Sequence, residues 1–392
     1  MIGGMKTIAV IFGGRSTEHD VSIVTALASI IKPLELTKQY RVEPIYISKD
    51  GDWYWDQKLK NIDLYQSGEI EEFMRKAPKV HLLFDNGLTL VKSSQFAGRK
   101  QYKKIDVVFP AMHGTHGEDG ELMGVLEMAN VPYVGCGLAA SAVAMDKVLS
   151  KQVTESAGIA STPWTWFYSS DLPRRHSEIM KEVEKLAYPI FVKPAHLGSS
   201  IGITRVESRD MLMNALEVAA HYDDKVIVEQ GVANLIEVTL PIMGNEDPLP
   251  ALLEQPMLHA EDFFDFETKY MQGGKKGGKK GGAEQGAQGY SKIPADIPKD
   301  LYDKAVKLGI DSYKAVGCSG IARIDMLIDG KSQQVMFNEI NPLPGSLYSH
   351  NWKQAGVSGV DLVSRLVAYA EQRWQSRQKI ATNFATNYLK QF

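Results

Sequence analysis

The chain has 392 residues, of which 44% are hydrophobic and 23% are charged, and its formal net charge is −3. This length predicts several structural units, and the charge argues against a nucleic-acid partner held by bulk electrostatics. The two cysteines, Cys136 and Cys318, are too few for a disulfide framework or a zinc site, which favours a reducing compartment. Because no apolar run approaches the roughly 18 residues of a membrane span and no signal-peptide pattern opens the chain, we expect a cytoplasmic protein without a membrane partner.

The first third of the chain alternates strand patterns with a helix pattern. The apolar run at 7–12 ends at Gly13-Gly14 and is typical of a strand buried on both faces. A helix is predicted over 21–31, and further strands are predicted over 42–48, 105–109 and 132–135. This order indicates the α/β class, with a doubly wound parallel domain up to about residue 132.

Two further segments follow. The middle one is predicted to contain helices over 140–158 and 210–222 and strands over 190–193 and 226–229. The third is predicted to contain strands over 237–243, 320–328 and 334–338 and helices over 299–316 and 359–374. In the last helix Leu362, Leu366, Tyr369 and Ala370 recur at helical spacing, so this apolar stripe is predicted to face the core.

Residues 271–289 are rich in glycine and lysine and almost free of apolar side chains. Such a segment cannot bury enough surface to order itself, so it is predicted to be either a disordered surface loop or a mobile lid that orders over bound phosphates. The preceding residues, 263–270, alternate aromatic and polar side chains. They are either a packed edge strand or a segment that brings Lys269 to a phosphate and Tyr270 to a substrate.

A phosphate-binding loop is predicted after the strand at 190–193. This strand ends in Lys193 and is followed by Gly198-Ser199-Ser200, whose backbone N–H groups can approach an anion closely. The lysine precedes the loop, so the pattern is not a Walker A motif. The alternative is a tight turn without a ligand.

Two strand ends carry candidate metal ligands. Arg323 and Asp325 are two residues apart, as are Glu339 and Asn341, so each pair is predicted to share one sheet face. Carboxylate and amide oxygens suit Mg²⁺. The alternative is a structural ion pair of Arg323 with Asp325 or Glu339.

Two polar loops complete the candidate site. The loop after Gly14 contains Glu18, which is suited to hold an ammonium group at the carboxyl end of a strand; helix capping by Ser16 and Thr17 is the alternative. The glycine-bounded loop at 113–120 contains His113 and Glu118, which are predicted to line the same cleft unless they form an ordinary surface loop.

The ordered set of motifs resembles the D-alanine–D-alanine ligases of the ATP-grasp superfamily over about residues 7–370. The motifs that carry the resemblance are Phe12-Gly13-Gly14 with Ser16–Ser22, His113-Gly114 with Gly117–Gly120, Pro132–Gly135, Met145–Lys147, Val192–Pro194 with Gly198–Ser200, Lys269-Tyr270, Arg323–Asp325 and Asn338–Asn341. The resemblance implies a three-domain ATP-grasp architecture. Its parts are an N-terminal domain on the side of the first substrate (1–132), a central subdomain (133–230) and a C-terminal subdomain with the metal site and lid (231–392).

The resemblance also implies roles for individual residues. ATP would lie between the central and C-terminal subdomains. Its implied ligands are the phosphate-side residues Lys147, Lys193, Ser200 and Lys269 and the adenosine-side residues Glu229 and Glu237. Two Mg²⁺ ions, with Mn²⁺ as a substitute, would be held by Asp325, Glu339 and Asn341.

On the substrate side, the resemblance implies that Glu18 binds the ammonium of the first amino acid. Ser199 and Tyr270 would be linked to Glu18, while Arg323 and the backbone of Gly345 would stabilise the tetrahedral intermediate. The implied reaction forms D-alanyl-D-alanine through an acyl phosphate for peptidoglycan precursors. The implied partners are small molecules, D-alanine and ATP, and a second copy of the chain in a homodimer.

The sequence departs from the family after Asn341. The family's Thr-x-Pro-Gly motif reads Pro342-Leu343-Pro344-Gly345 here, and in the following segment, up to Trp352, the family's serine for the second carboxylate falls on His350, or on Asn351 with a one-residue shift. Ser349 and His350 are therefore the predicted residues of the second-substrate subsite. The alternatives are a ligase with a different second substrate, or a non-dipeptide ATP-grasp ligase that joins a carboxylate to an amine.

Two more distant alternatives are a biotin-carboxylase-like protein and a nucleotide-binding regulator without enzymatic activity. Nothing in the sequence suggests a biotin partner. A regulator would not need both the phosphate lysines and the metal ligands.

Overall fold

A computed structural model of the protein describes residues 5–93, 99–257, 291–382 and 388–391. The predicted strand at 263–270 and the predicted lid at 271–289 lie outside these residues, and so do Lys269 and Tyr270. Within the described ranges, no helix is both long and apolar enough to cross a membrane.

The N-terminal sheet has the strand order β3-β2-β1-β7, in which β1 pairs in parallel with β2 and β7. The strands of this part of the chain are β1 (Lys6–Gly13), β2 (Tyr40–Ile47), β3 (Trp53–Trp55), β4 (Val80–Phe84), β5 (Leu88–Ser93), β6 (Lys100–Ile105) and β7 (Val107–Pro110). The edge strand β3 is antiparallel to β2, and β4, β5 and β6 form a separate antiparallel sheet.

Helices cover both faces of this sheet, as predicted. They are α1 (His19–Val24), which continues as a π-helical segment (Thr25–Ile31) into α2 (Lys32–Leu36), and then α3 (Asp63–Gln66), α4 (Ile70–Lys76) and α5 (Glu121–Met128). Alternate residues of β1 pack on opposite sides, Val10 in the core with α1 and α2 and Ile11 in the core with α5. Two buried faces explain the unbroken apolar run.

The predicted strand at 132–135 is wrong. Only one residue of it, Tyr133, forms a bridge, to Val108. Pro132 has no N–H to donate to a ladder, and Gly135 has a φ of +99°, so the segment cannot extend into a strand.

The central part of the chain contains an antiparallel sheet in the order β10-β9-β11-β8. Its elements are β8 (Trp164–Tyr168), β9 (Ile190–Pro194), β10 (Thr204–Val206), β11 (Lys225–Gln230), α6 (Leu138–Met145), α7 (Lys147–Ser156), α8 (His176–Val183) and α9 (Arg209–Tyr222).

The single helix predicted over 140–158 is wrong, because Asp146 interrupts it with extended backbone angles. Its carboxylate accepts hydrogen bonds from the backbone N–H groups of Val148 (2.9 Å) and Leu149 (3.0 Å), as an N-cap residue does. Lys147 therefore begins a new helix.

The C-terminal part is built on a sheet in the order β13-β12-β16-β17. Its elements are β12 (Leu235–Gly244), β13 (Leu249–Pro250), β14 (Gln255–Pro256), β15 (Ser291–Lys292), β16 (Gly320–Asp329), β17 (Gln334–Asn341), α10 (Lys299–Val316), α11 (Ser349–Gln354) and α12 (Gly359–Gln378). A bulge lies between β16 and β17, because Asp325 pairs with Glu339 while Met326 pairs with Phe337.

The last helix packs against the first unit. Leu362, Leu366 and Ala370 are buried in the same core as Val10, which confirms the predicted apolar stripe. The indole N–H of Trp374 donates to the carbonyl of Asn130 at 3.1 Å, and α12 continues beyond the predicted end at Trp374. The last helix, α12, thus packs against the N-terminal part of the chain.

Candidate active site

Glu18 lies just after β1, and its side chain is enclosed by two loops. The hydroxyl of Ser199, in the loop after β9, donates to Glu18 Oε1 at 2.5 Å. A Cβ atom at Gly114 would lie 2.9 Å from Glu18 Oε2, and one at Gly198 would lie 3.2 Å from it. The glycines therefore allow the backbones of both loops to close around one carboxylate.

His113 and Glu118, which the sequence predicts to line the same cleft, form the wall beside Glu18. His113 Nδ1 lies 3.6 Å from Glu118 Oε1, and the backbone N–H of Gly114 donates to Glu118 Oε2 at 2.7 Å. The other ring nitrogen of His113 is 2.9 Å from the hydroxyl of Thr25, the first residue of the π-helical segment. Such segments are frequent at functional sites, and Thr25 was not singled out from the sequence.

The electrostatics of this wall favour a cationic group. Burial and the charge of Glu118 raise the pKa of Glu18, although Ser199, His113 and Arg323 oppose this effect. Burial lowers the pKa of His113, but contact with Glu118 and the charge of Glu18 outweigh it, so the pKa of His113 is raised. An ammonium group beside Glu18 would stabilise the ionised carboxylate.

The loop that carries Ser199 is strained and anchored. Ser199 and Ser200 have φ values of +53° and +61°, which L-residues rarely adopt. Lys147 fixes the loop from one side, since its Nζ donates to the carbonyl of Leu197 at 2.7 Å and its backbone N–H donates to the carbonyl of Ala195 at 3.0 Å. Strain of this kind is typical of functional loops.

Three of the predicted nucleotide residues, Lys147, Lys193 and Glu229, lie on α7, β9 and β11. Lys193 Nζ donates to Glu229 Oε2 at 3.1 Å, and Lys147 Nζ lies 3.6 Å from Glu339 Oε2. Glu229 is buried. Lys151, which the sequence analysis did not select, lies 3.6 Å from the same oxygen of Glu229. Its position four residues after Lys147, on the same helix face, is the signal that would have found it.

Asp325, Glu339 and Asn341, the predicted metal ligands, lie on the paired strands β16 and β17. Asn341 Nδ2 donates to Asp325 Oδ2 at 3.1 Å, and the guanidinium of Arg323 donates to both oxygens of Asp325, at 2.8 and 2.5 Å. The hydroxyl of Thr239 also donates to Asp325. The alternative ion pair of Arg323 with Asp325 is thus present, the oxygens of Asp325, Glu339 and Asn341 fit Mg²⁺, and the metal site itself stays a prediction.

The segment after Asn341 reaches both sides of the cleft. Ser346, Leu347 and Tyr348 have successive φ values of +51°, +53° and +52°. The backbone N–H of Ser346 donates to Thr25 Oγ1 at 3.0 Å, and the Arg323 guanidinium lies 5.2 Å from the centre of the Tyr348 ring. The segment therefore connects the wall around Glu18 with Arg323.

His350 is paired with a carboxylate that the sequence analysis did not select. Its Nε2 lies 2.9 Å from Oε2 of the buried Glu254, and Asn351 Nδ2 donates to the same oxygen at 3.1 Å. Burial raises the pKa of Glu254, but the contact with His350 outweighs it, so this pKa is lowered. Of the other predicted residues, Ser349 begins α11, Gly345 precedes the left-handed turn, and Glu237 lies on β12 opposite Leu327.

Comparison with known proteins matches most of the chain to one family. A family model described as "D-ala D-ala ligase N-terminus" matches residues 7–136, and one described as "D-ala D-ala ligase C-terminus" matches residues 153–368. A D-alanine–D-alanine ligase of Acetivibrio thermocellus is 37% identical over 96% of this chain and 99% of its own length. One of Chloroherpeton thalassium is 34% identical over 95% of this chain and 98% of its own length.

Solved structures agree with the sequence relatives. The VanG D-Ala:D-Ser ligase from Enterococcus faecalis has a TM-score of 0.77 and 30% identity, covering 93% of this chain and 99% of that one. The D-alanine–D-alanine ligase from Coxiella burnetii has a TM-score of 0.77 and 28% identity, covering 96% and 97%. The fold is therefore the ATP-grasp fold, and the chain belongs to the D-alanine–D-alanine ligase family.

Proposed function

We propose that the protein is an ADP-forming ligase that uses ATP to join two molecules of D-alanine. The observation that carries the proposal is the hydrogen bond of Ser199 to Glu18. It connects the phosphate loop after β9 to the carboxylate at the end of β1, 181 residues away. A bond between these two loops supports the proposal, because a ligase requires its nucleotide subsite and its ammonium subsite in one cleft.

The proposed reaction has two steps. A carboxylate oxygen of the first D-alanine attacks the γ-phosphorus of ATP, ADP leaves, and an acyl phosphate forms. The amine of the second D-alanine, having lost a proton, then attacks the acyl carbon, and inorganic phosphate leaves. Phosphoryl transfer depends mainly on the positioning of the reacting groups and on the neutralisation of their charge. The protein therefore contributes mainly by orienting the substrates and stabilising charge.

The substrate and nucleotide residues are assigned as follows. Glu18 holds the ammonium of the first substrate, with His113 and Glu118 beside it. Lys147 and Lys193 bind the phosphates, together with Ser200. Glu229 and Glu237 bind the adenosine.

The metal and the reaction centre involve the sheet of β16 and β17. Asp325, Glu339 and Asn341 would hold two Mg²⁺ ions, which neutralise phosphate charge when bound. Arg323 and the backbone of Gly345 stabilise the negative oxygen of the tetrahedral intermediate. Lys269 at the γ-phosphate and Tyr270 beside Ser199 remain predictions on residues outside the described ranges.

The test is phosphate release from ATP and Mg²⁺ with D-alanine alone, with the product identified by mass. We expect turnover and a dipeptide, and we expect Lys193→Met to reduce both. A matched control is Lys92→Met, which removes a lysine of similarly low exposure from the N-terminal unit. ATP binding without turnover, for D-alanine and for any other acceptor, would refute the ligase assignment.

A second candidate is a ligase that joins D-alanine to a different acceptor. The pairing of His350 with the buried Glu254 favours it, since an imidazole here replaces the serine that the family resemblance predicts. D-serine is the first acceptor to test, because one structural relative is described as a D-Ala:D-Ser ligase. Turnover only when D-alanine is combined with one member of an acceptor panel would select this candidate.

We further propose that the product enters peptidoglycan precursor synthesis in the cytoplasm and that the protein is a homodimer, as the family resemblance implies. Sedimentation velocity measures the oligomeric state. A single species at the mass of one chain, 43.4 kDa, would exclude the dimer.

A further inference from the structure

Lys151 on α7 is a lysine with no exposed side-chain surface. Among the residues that the structure describes, its Nζ is a buried atom with no hydrogen-bond partner. A buried ammonium group without an acceptor is costly. The proposed reaction assigns Lys151 no role, so its position needs another explanation.

The groups around Lys151 form a small charge cluster. Glu229 Oε2 lies 3.6 Å from Lys151 Nζ and 3.1 Å from Lys193 Nζ, so two lysines share one carboxylate oxygen. Glu229 has only 4% of its side chain exposed, and Lys193 has 13%. A buried carboxylate needs one counter-ion, and here it has two within reach.

Lys151 can act as the counter-ion of Glu229 when Lys193 moves away from it. In the proposed function Lys193 binds the nucleotide phosphates, and a lysine side chain that serves a phosphate cannot donate fully to Glu229 at the same time. Without another cation, the departure of Lys193 would leave Glu229 buried and unpaired, which is strongly unfavourable. Lys151 Nζ already lies 3.6 Å from Glu229 Oε2 and can provide this positive charge.

We propose that Lys151 is a positioning residue that replaces Lys193 as the counter-ion of Glu229 when Lys193 turns to the nucleotide. Lys151 thereby releases Lys193 for phosphate binding and keeps Glu229 ionised for the adenosine. The proposal rests on the nucleotide roles proposed above for Lys193 and Glu229. It assigns Lys151 no contact with the substrate.

The protonation equilibria are consistent with this exchange. Burial and the charge of Lys193 lower the pKa of Lys151, and they outweigh the opposing charges of Glu229 and Glu155, so this pKa is lowered while Lys193 is nearby. Burial raises the pKa of Glu229, but the charges of Lys151 and Lys193 outweigh it and hold this pKa below its usual range. When Lys193 moves away, the ammonium form of Lys151 loses a repulsive neighbour and no longer shares the Glu229 oxygen with Lys193.

The experiment separates phosphate binding from adenosine binding. The dissociation constants of adenosine and ADP are measured by calorimetry on the full chain at one fixed Mg²⁺ concentration, and their ratio reports the contribution of the phosphates. In Lys151→Met, Lys193 must stay on Glu229. We therefore expect the preference for ADP to fall about tenfold, the size of one charge-assisted hydrogen bond, while adenosine affinity changes little.

A double variant tests the charge argument directly. Lys151→Met with Glu229→Gln removes the carboxylate that retains Lys193, so the preference for ADP should return toward the wild-type ratio even if adenosine binds more weakly. Lys151→Arg keeps the positive charge and should retain part of the wild-type ratio between the adenosine and ADP dissociation constants. The control Lys92→Met should leave the ratio unchanged, since Lys92 lies in the N-terminal unit and donates to the carbonyl of Trp55 at 2.6 Å.

The outcomes separate this proposal from the proposed function. A lowered ratio in Lys193→Met together with an unchanged ratio in Lys151→Met overturns the counter-ion role alone. An unchanged ratio in Lys193→Met overturns the phosphate role of Lys193 and, with it, the exchange. Equal losses of adenosine and ADP affinity in Lys151→Met, with no recovery in the double variant, would show that Lys151 only supports the structure and would contradict the proposal.

Discussion

A pH-dependent contact lies at His196, directly before the loop that carries Ser199. Its Nδ1 lies 2.9 Å from Asp223 Oδ1, its Nε2 lies 3.3 Å from Asp146 Oδ2, and its backbone N–H donates to Asp223 Oδ2 at 2.7 Å. Hydrogen bonds to Asp146 and Asp223 raise the pKa of His196 to about 9, although burial opposes them. We predict that this imidazolium stabilises the folded protein and that the stabilisation disappears in mild alkali.

The sign follows from proton linkage. Between the pKa of a free histidine, about 6.5, and the folded value of about 9, the folded state binds the extra proton. The free energy of unfolding therefore falls as the pH rises through this window. The full difference between these two pKa values would correspond to about 3 kcal/mol. Because 42% of the side chain is exposed, solvent screening reduces the expected contribution to about 1–2 kcal/mol.

Urea denaturation at pH 6, 7.5 and 9.5 measures this effect in the wild-type protein and in His196→Gln. We expect the variant to be less stable at pH 6 by about 1–2 kcal/mol and the two proteins to converge at pH 9.5. His176→Gln, which changes an exposed histidine at the start of α8, is the matched control. A difference between wild type and His196→Gln that stays constant from pH 6 to 9.5 would refute the reasoning.

Three further predictions concern the site and its support. Ser199→Ala removes the hydrogen bond to Glu18 and should raise the KM for D-alanine about tenfold, while a parallel rise in the KM for ATP would contradict a role limited to the first substrate. Asp325→Asn removes a charged oxygen from the proposed metal site and should raise the Mg²⁺ concentration for half-maximal activity; an unchanged Mg²⁺ titration would count against Asp325 as a ligand. Phe337→Ala empties a fully buried position on β17 and should lower the free energy of unfolding by about 3–5 kcal/mol, measured in urea; a loss below about 1 kcal/mol would mean that the core refills the space.

The local sequence pattern was sufficient to predict a helix or strand wherever a single stretch of chain contains the features that determine it. The helix predicted over 299–316 has the observed bounds of α10, because its apolar periodicity repeats over five turns. The strand at 7–12 is observed within β1, because an unbroken apolar run requires burial on both faces. The order of the glycine-rich and charged motifs was likewise enough to identify the family, which the comparisons confirm.

The local sequence pattern failed to predict the structure where a residue distant in the sequence determines the conformation or the pairing. The break at Asp146 depends on side-chain capping, and on Lys225 and His196, which contact the same carboxylate. Glu254 was not found because its partner His350 lies 96 residues away, across a segment without an apolar period.

The sequence by itself thus determined the fold class, the family and the chemical types of the side chains in the cleft. Only the tertiary structure decided which charges share a partner, as Lys151 and Lys193 share Glu229. The physical reason is that hydrophobic periodicity is a local property of the chain, whereas the energy of a buried charge depends on every group that surrounds it in three dimensions.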